Sequence, residues 1–214
     1  EVIDGCAEDL ILYRTTFSTG WDSDTQWLSH PLAVWDPDAD MPESGSLWDV
    51  KWEFNKGDGT LSFTGSGPIP NFTAENPAPW SGYMDGIQAI EAESITEIGA
   101  NSFPNASQLI RLKTGSGLER IGDHAFSGCG RLEYLDISPV SQIGQAAFQN
   151  STAIPSLTLE KVSSIGKSAF QGCTSLASAT LGFCLTELEQ EVFAGCTGLT
   201  SLIIPESVSY IRDR

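Results

Sequence analysis

From residue 87 onward, apolar positions recur with a long period that has a short one nested inside it. Ile98, Ile121, Ile143, Ile165, Leu188 and Ile211 follow one another at gaps of 23, 22, 22, 23 and 23 residues. Five residues after the first five of these comes a Phe: Phe103, Phe126, Phe148, Phe170 and Phe193. Three residues further on comes a small side chain or a thiol: Ala106, Cys129, Ser151, Cys173 and Cys196. Between these motifs lie apolar triples: Leu109/Leu112/Thr114, Leu132/Leu135/Ile137, Ile154/Leu157/Leu159, Leu176/Ala179/Leu181 and Leu199/Leu202/Ile204. The last two members of each triple are two residues apart, the spacing that puts side chains on one face of a strand. An earlier turn, Ile87/Ile90/Ala92, fits the same frame. Each unit therefore predicts one strand and one compact return, with Ile, Phe and the small residue pointing inward. Stacked units bring the strands into parallel register at about 4.8 Å per turn and their inward side chains into continuous ladders.

The period narrows the architecture. Helix-pair repeats need about 33 residues or more, whereas leucine-rich repeats take about 20–29. The expected fold is a leucine-rich-repeat solenoid of five to six turns over 86–214, with short helical or irregular returns. The Gly after the periodic Ile (Gly99, Gly122, Gly144, Gly166) gives way to Glu189 and Arg212 in the last turns. A left-handed backbone is thus not obligatory there, and close packing between turns is the expected reason for Gly.

Upstream, Trp48, Val50, Trp52 and Phe54 alternate with Asp49, Lys51 and Glu53, the period of a half-buried strand. NKGDG then turns the chain, and Thr60–Gly65 returns with Leu61 and Phe63 inward, which predicts a β-hairpin. An array exposes its first apolar turn unless something covers it, so the hairpin is expected to be the N-terminal cap. DLILYRTTF reads as a further strand, and GWDSDTQWLSHPLAVWDPDADMPESG as an irregular acidic loop.

The stretches IGDHAFSGCGRLEYLDI and IGKSAFQGCTSLASATL resemble the BspA-type leucine-rich repeats of bacterial surface proteins. The resemblance covers roughly residues 45–211 and extends to SLWDVKWEFNKGDGTLSFTGSGPIPNF, which is similar to the β segment that often precedes such arrays. It implies a secreted or cell-surface bacterial protein with a role in adhesion and protein recognition.

Composition sharpens this picture. The formal charge of −17 repels phosphate backbones, so nucleic acid is not an expected partner. Residues 1–85 carry 15 acidic and three basic side chains, a net of −12, and hold all six Trp; residues 86–214 carry 13 and eight, a net of −5. That step near residue 85 marks the expected domain boundary, an acidic Trp-rich region at 1–85 and the array at 86–214. No apolar run is long enough to span a membrane. The chain opens on Glu1 rather than Met, so the lack of a leader carries no argument about location.

Candidate chemistry is sparse. Cys129, Cys173 and Cys196 belong to the ladder and are expected to be reduced core thiols. Their spacing is no zinc pattern, and a bridge between Cys6 and Cys184 is not expected. Asp36, Asp38 and Asp40 have the opening rhythm of a calcium loop, but Met41 and Leu47 stand where such a loop needs Gly and Glu. His30 and His124 have no visible nucleophile beside them. Neither a metal, a cofactor nor catalysis is expected.

The outward strand positions are the better candidates. They align as Ala89, Arg111, Tyr134, Ser156, Ser178, Ser201 and as Glu91, Lys113, Asp136, Thr158, Thr180, Ile203. Tyr and Arg are enriched at binding hot spots, and solenoids commonly bind on this face. Glu91, Arg111, Lys113, Tyr134 and Asp136 are the candidate contacts for a protein partner, of which a host surface protein is one kind. Against this, Glu91, Lys113 and Asp136 alternate in sign across strands, which alone stabilises a sheet. The alternative is a glycan site in the Trp-rich N-terminal region, where an exposed aromatic plane stacks on a sugar. The expected state is a monomer, with the final turn the least protected part of the array.

Overall fold

The computed structural model describes residues 43–212 and the backbone of two short strands, β1 (Leu12–Arg14) and β2 (Leu32–Val34). These two pair in parallel, so the loop expected from residue 20 onward contains a strand. They belong to a compact unit of residues 1–42, separate from the unit of 43–214. The step in composition near residue 85 falls inside the second unit. The rest of 1–42, with Cys6, His30, Trp21, Trp27, Trp35 and the Asp36/Asp38/Asp40 loop, lies outside the described residues.

The second unit is a parallel β-solenoid. It begins with an antiparallel meander, β3 (Ser44–Leu47), β4 (Val50–Asn55) and β5 (Thr60–Thr64). Val50, Trp52 and Phe54 point into the core, but Trp48 does not continue that face. It sits in the tight turn between β3 and β4 at a φ of 54°, with 77% of its surface exposed. β5 then pairs in parallel with β7 (Ala89–Ala92), so the hairpin extends the sheet of the array. Between them run β6 (Gly67–Ile69) and a single 3-10 turn at Ser81–Tyr83.

Each later turn contributes two strands rather than the one expected. The remainder are β8 (Ile95–Ile98), β9 (Arg111–Thr114), β10 (Arg120–Ile121), β11 (Tyr134–Leu135), β12 (Gln142–Ile143), β13 (Ser156–Leu159), β14 (Ser164–Ile165), β15 (Ser178–Leu181), β16 (Glu187–Leu188), β17 (Ser201–Ile203) and β18 (Tyr210–Ile211). The second series, from β8 to β18, ends on the periodic Ile or Leu. Most of its members are two residues long, too short to show an alternation in sequence.

The returns are irregular, without helix, and their geometry explains the recurring Phe. Residues two before and two after each Phe are left-handed: Asn101 and Asn105, His124 and Gly128, Ala146 and Asn150, Ser168 and Gly172, Glu191 and Gly195. This turns the N–H groups of three alternate residues toward the next turn. Asn101, Phe103 and Asn105 donate to the carbonyls of Asp123, Ala125 and Ser127, and the pattern repeats through Ser168, Phe170 and Gly172 at 2.7–3.0 Å. The Phe rings follow the backbone and stack at 5.3–5.7 Å between centroids, from Phe103 to Phe193.

The small residue completes this interface. The Cys129 thiol donates to the Phe103 carbonyl, the Ser151 hydroxyl to Phe126, Cys173 to Phe148 and Cys196 to Phe170, at 2.8–3.3 Å. A thiol and a hydroxyl alternate at one position because both are small donors that satisfy a buried carbonyl. The periodic Gly is required by proximity: a Cβ on Gly144 would lie 2.6 Å from the Asp123 nitrogen. Where Gly is replaced in the last turns, Glu189 instead forms an ion pair with Arg212 at 3.0 Å.

The two ends differ. At the first turn Trp80 is fully buried, stacks on Phe103 at 5.4 Å and packs edge-on against Trp52, Phe63 and Phe72. At the last turn Phe193 and Cys196, expected on the core ladder, are only half-buried and pack against its edge, and Ile204 is exposed. No following return covers them among the described residues. No helix among these residues is long and apolar enough to cross a membrane.

Candidate partner-binding face

The outward strand residues fall into two sheets. In one, Ala89, Arg111 and Tyr134 stand in register across β7, β9 and β11, with Glu91 opposite Lys113. In the other, Ser156, Ser178 and Ser201 align across β13, β15 and β17, as do Thr158, Thr180 and Ile203. The single continuous face expected from the period is therefore interrupted between β11 and β13. Pro155 accounts for the interruption. In neighbouring turns the residue at this place anchors the strand: Ile110 N–H donates to Gln88, Glu133 to Ile110, Ala177 to Pro155 and Thr200 to Ala177. Proline has no N–H to give to the preceding turn.

A shallow depression of about 530 Å³ opens at that break, bordered by Arg111, Lys113, Tyr134, Asp136, Pro155 and Ser156. Four of the five candidate residues surround it, and Glu91 lies outside its lining. The sequence pattern places Ser156 on the outward face without marking it as a contact, and Pro155 leaves no trace in that pattern of apolar positions. The signal was available, since a proline at a strand entry weakens pairing.

The charges are arranged otherwise than in a simple cross-strand alternation. Lys113 forms its ion pair with Glu93, beyond the end of β7, and the bond to that carboxylate raises the pKa of the ammonium. Asp136 leaves the strand and accepts the Ser138 N–H at 3.0 Å; bonds from Ser138 hold its carboxyl below the usual range. Arg111 has no ion pair among the described residues. Tyr134, beside it in register, is 57% exposed. An unpaired guanidinium next to an exposed phenol offers fixed planar donors and apolar area in one place, the chemistry of an interface anchor.

Two Trp of the glycan alternative, Trp52 and Trp80, are buried and unavailable for stacking, whereas Trp48 is exposed. Among the described residues no group of three or more His, Cys, Asp or Glu is placed to hold a metal ion. Cys129, Cys173, Cys184 and Cys196 are free thiols, and Cys184 is exposed.

Known structures share this fold. A leucine-rich repeat protein of T. pallidum superposes with a TM-score of 0.61 at 20% identity, over 78% of this chain and 85% of that one. A leucine rich cell surface protein of Faecalibacterium prausnitzii gives 0.56 at 24% identity, over 80% and 51%. A leucine-rich repeat protein of Bacteroides ovatus gives 0.52 at 23% identity, over 82% and 55%. The chain thus spans about half the length of the latter two. No curated protein matches it. The BspA type Leucine rich repeat region matches residues 96–214 in six copies, more than half of the chain. With its stacked Phe spine and parallel strands, the protein belongs to the BspA-type leucine-rich repeat family.

Proposed function

We propose that the protein is a non-enzymatic bacterial recognition module, secreted or held at the cell surface, that binds a protein partner through the depression between β9, β11 and β13. The carrying observation is the convergence of Arg111, Lys113, Tyr134 and Asp136 on the one interrupted part of the strand face. The similarity to a leucine rich cell surface protein of Faecalibacterium prausnitzii supports the location. The charge of −17 favours a partner whose surface is basic beyond the contact itself.

The test is a binding screen of the full chain against immobilised host surface proteins and glycans, repeated with Tyr134→Ala. Proteins that bind the parent and lose the variant support the reading. A screen that returns only glycans, with quenching of Trp fluorescence and no effect of Tyr134→Ala, favours the N-terminal region instead.

A further inference from the structure

β11 and β13 are edge strands that face each other in the interior of the array, with β7 and β9 on one side of the break and β15 and β17 on the other. The same two turns stay joined elsewhere. Their Phe126 and Phe148 rings stack at 5.4 Å, and the strands from β6 to β14 in the second series pair without interruption. The opening is therefore confined to the outer main chain of one face.

Its edges carry unused backbone groups. At the place of Ser156 in other turns, Arg111, Tyr134 and Ser201 donate their N–H to the carbonyls of Gln88, Ile110 and Ala177 at 3.0–3.3 Å. The Ser156 N–H makes no such bond to Glu133, and no described residue donates to the Glu133 carbonyl. Leu135 is only half-buried, whereas Leu112 and Leu157 beside it in the ladder are 2% and 4% exposed. Past Leu135 the main chain is held away from β13: the Asp136 carbonyl accepts the Thr114 hydroxyl at 2.9 Å, and its carboxylate accepts the Ser138 N–H. A strand edge with unpaired N–H and C=O groups is a template for a further strand, and extended peptides bind proteins by this route.

We infer that the break recognises main chain: an extended segment of the partner polypeptide lies in it, donates an N–H to the Glu133 carbonyl, accepts the Ser156 N–H and sets a carboxylate side chain against Arg111. This rests on the reading that the depression binds a protein, and it names the part of that protein that enters. The carboxylate follows from the charges. Lys113 is neutralised by Glu93, which leaves the Arg111 guanidinium as the cation of the site without an ion pair among the described residues. The depression, about 530 Å³, is in the size range of pockets that enclose small ligands, room for a few residues of extended chain.

The probe is a blocked peptide, acetyl-Thr-Val-Asp-Val-Thr-amide, titrated into the full chain and read by the NMR shift and exchange rate of the Ser156 amide. The shift should saturate below about 10 mM peptide, the range of a few backbone bonds, and exchange should slow. A peptide N-methylated at both Val keeps every side chain but loses two donors, and it should leave Ser156 unmoved. A peptide with Asn for Asp should bind about tenfold more weakly, having lost the charged partner of Arg111. Pro155→Ala, which leaves the surrounding side chains in place, should abolish binding once its new amide is protected. No saturable shift at Ser156, equal binding of the N-methylated peptide, or full binding to Pro155→Ala with a protected amide overturns the inference. A partner from the screen that loses Tyr134→Ala, while the peptide leaves Ser156 unmoved, keeps the site and overturns the main-chain pairing alone.

Discussion

Trp80 donates its indole N–H to the backbone carbonyl of Ser102 at 2.9 Å, across 22 residues of sequence. The acceptor stands one residue before Phe103, the place that the N–H of a spine Phe reaches from every preceding return. Trp80 therefore does with its side chain what a repeat does with its backbone, and its ring closes the Phe stack. Trp80→Phe keeps an aromatic ring but leaves a buried carbonyl without its donor. It should cost about 1–3 kcal/mol in a denaturation curve, with the loss of protection concentrated at Asn101–Asn105. A variant as stable as the parent would show that the hydrogen bond contributes nothing to the cap.

Phe148 lies between Phe126 and Phe170, at 5.4 Å from each, and is fully buried. Phe148→Ala should lower stability by about 3–5 kcal/mol, the range for an emptied aromatic core site. Phe193→Ala should cost less, because its ring is half-buried. Equal losses at the two positions would mean that the Phe193 ring is as well packed as that of Phe148.

The thiols provide a graded test of the same register. Cys184 should react with thiol reagents at once, Cys196 more slowly, and Cys129 and Cys173 only on unfolding. Burial pushes the Cys129 and Cys173 thiols up to about 12 from 9.0. A raised folded pKa means that their contribution to stability is whole below about pH 9 and is lost as pH rises toward 12. The parent should thus lose more stability than Cys129→Ser/Cys173→Ser over that interval. Parallel curves would contradict the burial. The serines should keep the bonds to Phe103 and Phe148, as Ser151 does with Phe126.

Pro155→Ala should restore an N–H able to reach the Glu133 carbonyl, by analogy with Ala177 and Pro155. The gain of a hydrogen bond and the loss of proline's restriction on the unfolded chain are each about 1 kcal/mol, so stability should change little. The expected change is structural, with β11 and β13 paired and the new amide at position 155 protected from exchange. An amide that exchanges freely there would show that the break has another cause.

Much of the fold is legible because the interface between turns repeats the same demand. Phe148 and Ile143 must match their neighbours above and below, which leaves an apolar period that sequence shows directly. The left-handed positions are less visible. Asn105, Gly128, Asn150, Gly172 and Gly195 are residue types that favour such a backbone, whereas the other position of each pair is held in turn by Asn101, His124, Ala146, Ser168 and Glu191, five different types. The hydrogen-bonded neighbours impose the conformation there. Trp80 was hidden for a related reason, since it fills a spine position with a different side chain inside a segment of different composition. The candidate face was read in outline from outward positions, and its interruption was not, because one proline among five strand entries leaves the apolar period intact.

We propose that the face beside Pro155, rather than the hydroxyl-rich sheet of β13, β15 and β17, carries recognition. It is tested most directly by measuring Kd for one protein partner from the screen with three variants: Arg111→Ala, Tyr134→Ala and Thr180→Ala. The first two should each weaken binding about tenfold or more, the scale of a hot-spot side chain, while Thr180→Ala leaves Kd unchanged. A partner that binds Arg111→Ala and Tyr134→Ala like the parent, and loses affinity for Thr180→Ala, would contradict the account.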